Sequence, residues 1–333
     1  MPSLADEVDE VARRTGFSGV VRIDRAGATE LCVAHGYADR AHAIPNTVET
    51  QFAIASGAKT LTALAVMSLV ESRTLDLDTT ARSLLGGDLP LVADDVTVEH
   101  LLAHRSGIGD YLDEDDLDVD DYVMPVPVHE LATTEQYLPV LGGHATVSPA
   151  GERFAYNNGG YVVLALLAER ASGVDFHELV QTLVCEPAGM VDTGFLRSDE
   201  LPGRAARGYL AAEGLRTNVF HLPVVGNGDG GIYSTLTDLS AFWDALLTGR
   251  IVSSQRVAEM LRPRSDWPEE GRRYGLGFHL HATDDGAWLE GYDAGVSFTS
   301  QHRPSSGLTF TVFSNWSRGA WPIVSLLNER LGG

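Results

Sequence analysis

The stretch from Ser56 to about Ser72 sets the strongest condition on the fold. Leu61, Leu64, Val66, Met67, Leu69 and Val70 leave it apolar on nearly every side. A helix of that kind cannot lie on a surface and needs packed elements all around it. Tyr161–Ala171, with Val162, Val163, Leu164, Leu166 and Leu167, reads as a second buried helix stopped near Gly173. Thr237–Thr248 carries Leu239, Phe242, Trp243, Leu246 and Leu247 at helical spacing, with Gly249 ending it. Hydrophobic residues make up 44% of the 333, ample for one such core. No unbroken apolar run of about 20 residues offers a membrane span.

Strand patterns gather at the two ends of the chain. After a short amphipathic helix, Leu4–Arg13, the strands Gly19–Asp24 and Glu30–Tyr37 flank an Arg-Ala-Gly-Ala turn. Tyr274–Ala282 and Ala287–Glu290 flank Thr-Asp-Asp-Gly, and Gly295–His302 and Leu308–Asn315 flank Pro-Ser-Ser-Gly; both read as hairpins. A helix over Ala320–Leu331 closes the chain. Between Thr80 and Leu201 strand signals are few. The expectation is an α/β (α+β) fold: an antiparallel sheet flanked by helices, built from 1–80 with 202–333, and an inserted all-helical lobe, 81–201, with the site at their junction.

Charge narrows the partners. Asp and Glu number 46 against 24 Lys and Arg, a net charge of −22. Without a basic tract, neither nucleic acid nor a membrane surface is the expected partner. The acidic run Asp113–Asp121 reads as a solvated loop. Cys32 and Cys185 stand far apart, so disulfides do not organise the fold. The acidic opening Pro2–Glu10 lacks the basic start and apolar stretch of a secretory signal, and the expected location is cytoplasmic.

One count points to chemistry. Lys59 is the single lysine; every other Lys or Arg position holds arginine. Arginine serves wherever a fixed positive charge suffices, so position 59 needs an amine able to lose its proton. Ser56 stands three residues before it, on the same helix face. A serine at a helix start is usually a cap, but here a neutral Lys59 can take the proton of Ser56 Oγ. The helix N-terminus then supplies an N–H and a positive dipole for a developing oxyanion.

Ser-x-x-Lys at the head of a buried helix resembles the serine β-lactamase and penicillin-binding-protein superfamily, most of all its class C, esterase and D-aminopeptidase branch. Phe52-Ala53-Ile54-Ala55-Ser56 is similar to that branch's lead-in. Leu101-Leu102-Ala103-His104-Arg105-Ser106-Gly107-Ile108 is similar to its LLTHTSGL stretch. Pro149-Ala150-Gly151-Glu152-Arg153-Phe154-Ala155-Tyr156-Asn157-Asn158-Gly159-Gly160-Tyr161 resembles its second motif, and Gly230-Gly231-Ile232-Tyr233-Ser234-Thr235 with Asp238 its late Gly-Gly segment. The resemblance implies the β-lactamase/transpeptidase-like fold. It makes Tyr156 the second member of the proton relay and gives Asn158 the task of holding Lys59 and a substrate carbonyl. It also implies a third motif, a basic residue followed by a small one and Gly, along the strand that binds substrate.

That strand departs from the family. Glu290-Gly291-Tyr292-Asp293-Ala294-Gly295-Val296-Ser297-Phe298 contains neither Lys nor His. Tyr292 replaces the basic residue in one register, Gly291 in the other. Tyr292, Asp293, Ala294 and Gly295 are then the candidate substrate contacts, with the second oxyanion N–H from about Ala294 or Gly295. The family's basic residue helps bind the carboxylate of β-lactams and of peptides ending in D-Ala. Its absence favours an ester, lactone or amide lacking an adjacent carboxylate. The expected function is a serine hydrolase working through an acyl-enzyme. A β-lactamase or D,D-peptidase, a biosynthetic acyltransferase and a non-catalytic binding protein are the alternatives.

Weaker signals carry less. His100 with His104, and His279 with His281, have paired spacing but no acidic ligand cluster beside them, so no metal site is expected. Gly226-x-Gly228-x-Gly230-Gly231 lacks the strand and Lys of a phosphate loop and reads as a mobile edge of the site. No Gly-x-Ser-x-Gly elbow is present. Nothing in the chain calls for a cofactor, and the expected partner is a small ester, amide or peptide substrate.

Overall fold

The computed structural model describes residues 2–113, 118, 120 and 122–332; most of the acidic run Asp113–Asp121 lies outside the described residues. The five longest helices of the described residues are α1 (Leu4–Thr15), α2 (Ala58–Glu71), α3 (Asn158–Ser172), α4 (Leu236–Leu247) and α5 (Trp321–Leu331). Eight strands of the described residues form the main sheet. They are β1 (Gly19–Arg25), β2 (Ala28–His35), β3 (Ser265–Trp267), β4 (Arg272–Tyr274), β5 (His279–His281), β6 (Ala287–Asp293), β7 (Val296–Arg303) and β8 (Leu308–Ser314).

The sheet runs β2-β1-β8-β7-β6-β5-β4-β3, antiparallel throughout. The terminal segments close it together, as Gly19 pairs with Ser314 and Arg25 with Leu308. Alternation along the strands sends side chains to two different cores. Val21, Ile23, Phe310 and Val312 pack under Val8 and Ala12 of α1 and Ile323 and Leu327 of α5. Val20, Phe298 and Phe313 face the opposite way, into the core built on α2, α3 and α4. The fold is therefore the expected one, a helix-flanked antiparallel sheet. Among the described residues no helix is long and apolar enough to cross a membrane.

Helix α2 is enclosed as its composition demands: every residue except Ser68 and Glu71 is buried. Helix α3 starts three residues before the expected Tyr161, because Asn157 caps it, its side-chain oxygen accepting from Gly160 N at 2.6 Å. Gly173 ends it, its N–H donating to Glu169 O at 2.8 Å.

Three expectations need correction. Tyr274–Ala282 is not one strand: the chain turns between β4 and β5, with Gly275 N donating to Phe278 O at 2.9 Å, and β3 is an added, short edge strand. The strand expected to end at Glu290 continues to Asp293, so the hairpin loop is only Ala294–Gly295. Segment 81–201 is not wholly helical, since Gly194–Phe195 pairs with Ile232–Ser234, itself paired with Phe52–Ala53.

Candidate active site

The chain leaves the short strand Phe52–Ala53 with Ile54 N donating to Ile232 O at 2.9 Å. Ala55 then adopts φ +44°, a left-handed conformation that costs a non-glycine residue on the order of 1 kcal/mol. A 3₁₀ turn, Ala55–Gly57, carries Ser56, and α2 begins only at Ala58. Ser56 is therefore not a cap: Gly57 holds the cap position and no side chain caps the helix. The strained turn presents the Ser56 hydroxyl to the amine of Lys59.

Lys59 is 2% exposed. Its Nζ lies 2.9 Å from Ser56 Oγ, 2.7 Å from Asn158 Oδ1 and 2.9 Å from the backbone oxygen of Asp229. The Asn158 amide is oriented independently, Nδ2 donating to Leu112 O at 2.9 Å. Two of the three partners of the amine can only accept, so two of its protons are committed to them. Only Ser56 Oγ can reverse its role and donate. An amine with two protons would turn its lone pair to the Ser56 hydroxyl.

Tyr156 is half-buried, its ring centre 5.0 Å from Lys59 Nζ. The ring packs against His104, with centroids 4.4 Å apart, and against Trp267 at 6.0 Å. His104 is fully enclosed, with Tyr161 and Tyr274 on its other sides. Burial first, then the nearby Lys59 and His279, push its pKa well below the usual range, so the ring stays neutral. Asn157 N donates to its Nδ1 at 3.1 Å, which places the ring proton on Nε2. His104 thus packs against Tyr156 as an uncharged ring. His100 belongs instead to the cap of a short helix, its Nδ1 accepting from Thr97 N. His279 is buried against Trp288, their rings 5.4 Å apart.

Behind Asn158 lies Asp110, which the sequence reading missed. Its carboxylate accepts from Asn158 N at 2.6 Å and Gly159 N at 2.8 Å, at the start of α3. Burial raises its pKa from 3.8 to about 6, against the lowering effect of those N–H groups and of Lys59. The sign of the resulting stability change follows. Below 3.8 the group is protonated in folded and unfolded chains alike, and above about 6 it is ionised in both. Between these values only the folded chain keeps the proton, so stability falls as pH rises through the window. A displacement from 3.8 to about 6 corresponds to on the order of 3 kcal/mol. Urea unfolding across this window should show the wild type losing ground to Asp110→Asn as pH rises. Parallel profiles would mean that Asp110 titrates normally.

Facing Ser56 is β6. A Cβ on Gly291 would stand 1.9 Å from Ile54 O and 3.0 Å from Ser56 N, so the strand backbone presses directly on the turn that carries the serine. Tyr292, Asp293 and Val296 line the cleft. Ala294 and Gly295 do not, and their N–H groups are committed: Ala294 N donates to Asp293 Oδ1 at 2.8 Å and Gly295 N to Ser317 Oγ at 2.9 Å. The expected N–H from Ala294 or Gly295 is thus ruled out, because both residues form the hairpin loop beyond the cleft. Burial raises the Tyr292 pKa, and the charge of Arg318, which pairs with Asp120 at 3.6 Å, acts against it.

The cleft encloses about 940 Å³, open space at its mouth included, with Ser56, Asn158 and Asp229 on its wall. The segment Gly226–Gly231 forms one side. It is tied down rather than the mobile edge expected. Asn227 N donates to Gly230 O at 2.9 Å and Thr62 Oγ1 to Gly228 O at 2.6 Å. A Cβ on Gly228 would meet Tyr161 O at 2.1 Å. Within it, Asp229 offers its carbonyl to Lys59 and its carboxylate to the Tyr111 hydroxyl, 2.5 Å away.

The Beta-lactamase family model matches residues 4–324, and the chain belongs to that family. It is 28% identical over 277 residues to the putative penicillin-binding protein PbpX of Bacillus subtilis, covering 82% of this chain and 65% of that protein. To esterase EstB of Burkholderia gladioli it is 31% identical over 219 residues, 60% of this chain and 52% of that one. The chain thus spans less than two thirds of the length of either. A penicillin binding protein from Bacillus halodurans superposes with a TM-score of 0.90 at 33% identity, over 97% of this chain and 99% of that one.

Proposed function

We propose that the protein is a serine hydrolase acting through an acyl-enzyme on an ester or amide carbonyl. The observation that carries this reading is the 2.9 Å approach of Lys59 Nζ to Ser56 Oγ, with the amine's other two partners able only to accept. Uncharged Lys59 takes the Ser56 proton as Oγ attacks the carbonyl carbon. The Ser56 N–H supplies one oxyanion donor. Tyr292 supplies the other: Asp293 and Val296 flank a two-residue loop as a hydrogen-bonded pair, so the next pair, Tyr292 with Ser297, is not hydrogen-bonded. The Tyr292 N–H therefore points off the free edge of β6, toward the cleft. Tyr156 gives its phenolic proton to the leaving group as that group's bond to the acyl carbon breaks and regains a proton from Lys59, which Asn158 holds in place. Water then attacks the acyl carbon, giving a proton to the Lys59–Tyr156 pair, and that proton returns to Ser56 Oγ as its bond to the acyl carbon breaks.

The names of the relatives, an esterase and penicillin-binding proteins, support acyl chemistry of this kind. The lack of Lys and His along Glu290–Phe298 favours substrates without a carboxylate beside the scissile bond. Intact mass after treatment with a fluorophosphonate tests the reading. The wild type should gain one adduct, and Ser56→Ala none. A folded wild-type sample that stays unlabelled would refute the nucleophile.

A further inference from the structure

The charge of the cleft wall gives the substrate a chemical class, on the reading that Ser56 is the nucleophile. Among the described lining residues the ionisable groups are the carboxyls of Asp229 and Asp293 and the hydroxyls of Tyr111, Tyr122, Tyr137, Tyr233 and Tyr292; Arg, Lys and His are absent from it. Lys59, itself absent from the lining, donates to the backbone carbonyl of Asp229 and acts on its carboxyl only through space. Arg318, whose charge acts on the lining residue Tyr292, is engaged by Asp120. We propose that this cleft takes an ester or amide bearing a protonated primary amine near the scissile carbonyl, with the Asp229 carboxylate, fixed by Tyr111, as the counter-charge.

Asp229 is 8% exposed yet stands on the cleft wall, and the Tyr111 hydroxyl donates to its Oδ2. Burial pushes the Tyr111 pKa well above its ordinary value, so the phenol keeps its proton and remains a donor. Burial likewise raises the Asp229 pKa, with Lys59 and Tyr111 acting against it. A carboxylate stripped of water costs free energy until a cation comes beside it. An ammonium group entering the cleft provides that cation, and tyrosine faces are suited to hold it. The acidic chain, at −22, also draws cations toward its surface. Asp110 and Tyr111 are consecutive, so one short segment orients both Asn158, through Asp110, and Asp229, through Tyr111.

The test uses binding and turnover in parallel. Calorimetric titration of the wild type with benzylammonium and with benzyl alcohol compares a cation with its neutral isostere. Benzylammonium should bind at least about tenfold more tightly. In the turnover arm, D- and L-alanine p-nitroanilides with a free amine are compared with their N-acetyl forms, and the free amines should show a kcat/KM higher by at least about tenfold. Asp229→Asn keeps the backbone carbonyl that holds Lys59; there both ratios should fall to within about twofold of unity, and Tyr111→Phe should lie between. Equal binding of the two benzyl compounds by the wild type overturns the proposal without any variant, and so does a preference that survives in folded Asp229→Asn. Fluorophosphonate labelling without a preference for the cation refutes the proposal and leaves the hydrolase standing. A preference for benzylammonium without labelling supports the cation site and refutes the hydrolase.

Discussion

Replacement of Lys59 by arginine leaves a folded protein whose kcat/KM on a neutral p-nitrophenyl ester falls by at least about 10³-fold, the scale expected when a general base is removed. Arginine does not give up its proton in a protein and presents no lone pair to a hydroxyl. Its planar fork also replaces one nitrogen that sits within 2.9 Å of three oxygens on three different segments. Forcing the larger group into a site that is 2% exposed should cost about 1–3 kcal/mol in overpacking. Thermal melting must therefore accompany the kinetics. Lys59→Met separates charge from chemistry: it relieves the buried amine but strands Asn158 Oδ1 and the Asp229 carbonyl without their donor, about 1–3 kcal/mol for each. Both variants should be inactive whatever their relative stabilities. Near-normal turnover in folded Lys59→Arg would remove the amine from the mechanism.

The elements around Ser56 were legible because their signals are local. Helices α2 and α3 announce themselves by apolar residues on all sides, and a single lysine three residues after a serine marks a position where arginine could not serve. The strand side was less legible. Gly291 carries no pattern in a run of mixed residues; its role, a missing side chain that lets β6 meet the Ile54 carbonyl, exists only in the folded chain. The N–H groups of Ala294 and Gly295 looked available because their partners, Asp293 Oδ1 and Ser317 Oγ, depend on where the hairpin turns. The loop is two residues, and the sequence pattern alone suggested a longer one. Asp110 and Asp229 were missed for a related reason. A lone carboxylate after Gly109, and another between Gly228 and Gly230, have no spacing signature. Each gains its role from a partner at least 48 residues away in sequence, Asn158 for the first and Tyr111 for the second. His104 stands in the sequence both within the Leu101–Ile108 motif and four residues after His100; the fold sends the two histidine rings to different neighbours.

Gly291→Ala should be nearly as damaging as loss of the base, although it touches no proton. The added carbon would stand 1.9 Å from Ile54 O, a backbone atom that cannot rotate away. The turn cannot retreat, because Ile54 N is tied to Ile232 O at 2.9 Å. Nor can β6 withdraw freely, since it pairs with β7 from Ala287–His302 to Asp293–Val296. Whichever side yields, the Ser56 and Tyr292 N–H groups no longer converge on one oxyanion, so kcat should fall by at least about 10²-fold. The donors act on charge that develops in the transition state, and KM for a neutral ester should change little. Strain should lower stability by about 1–3 kcal/mol. Gly87→Ala is the matched control: nothing lies within 4 Å of its added carbon, and both activity and melting temperature should stay at the wild-type value. Equal kcat in Gly291→Ala and wild type would show that β6 and the serine turn do not act as one oxyanion site.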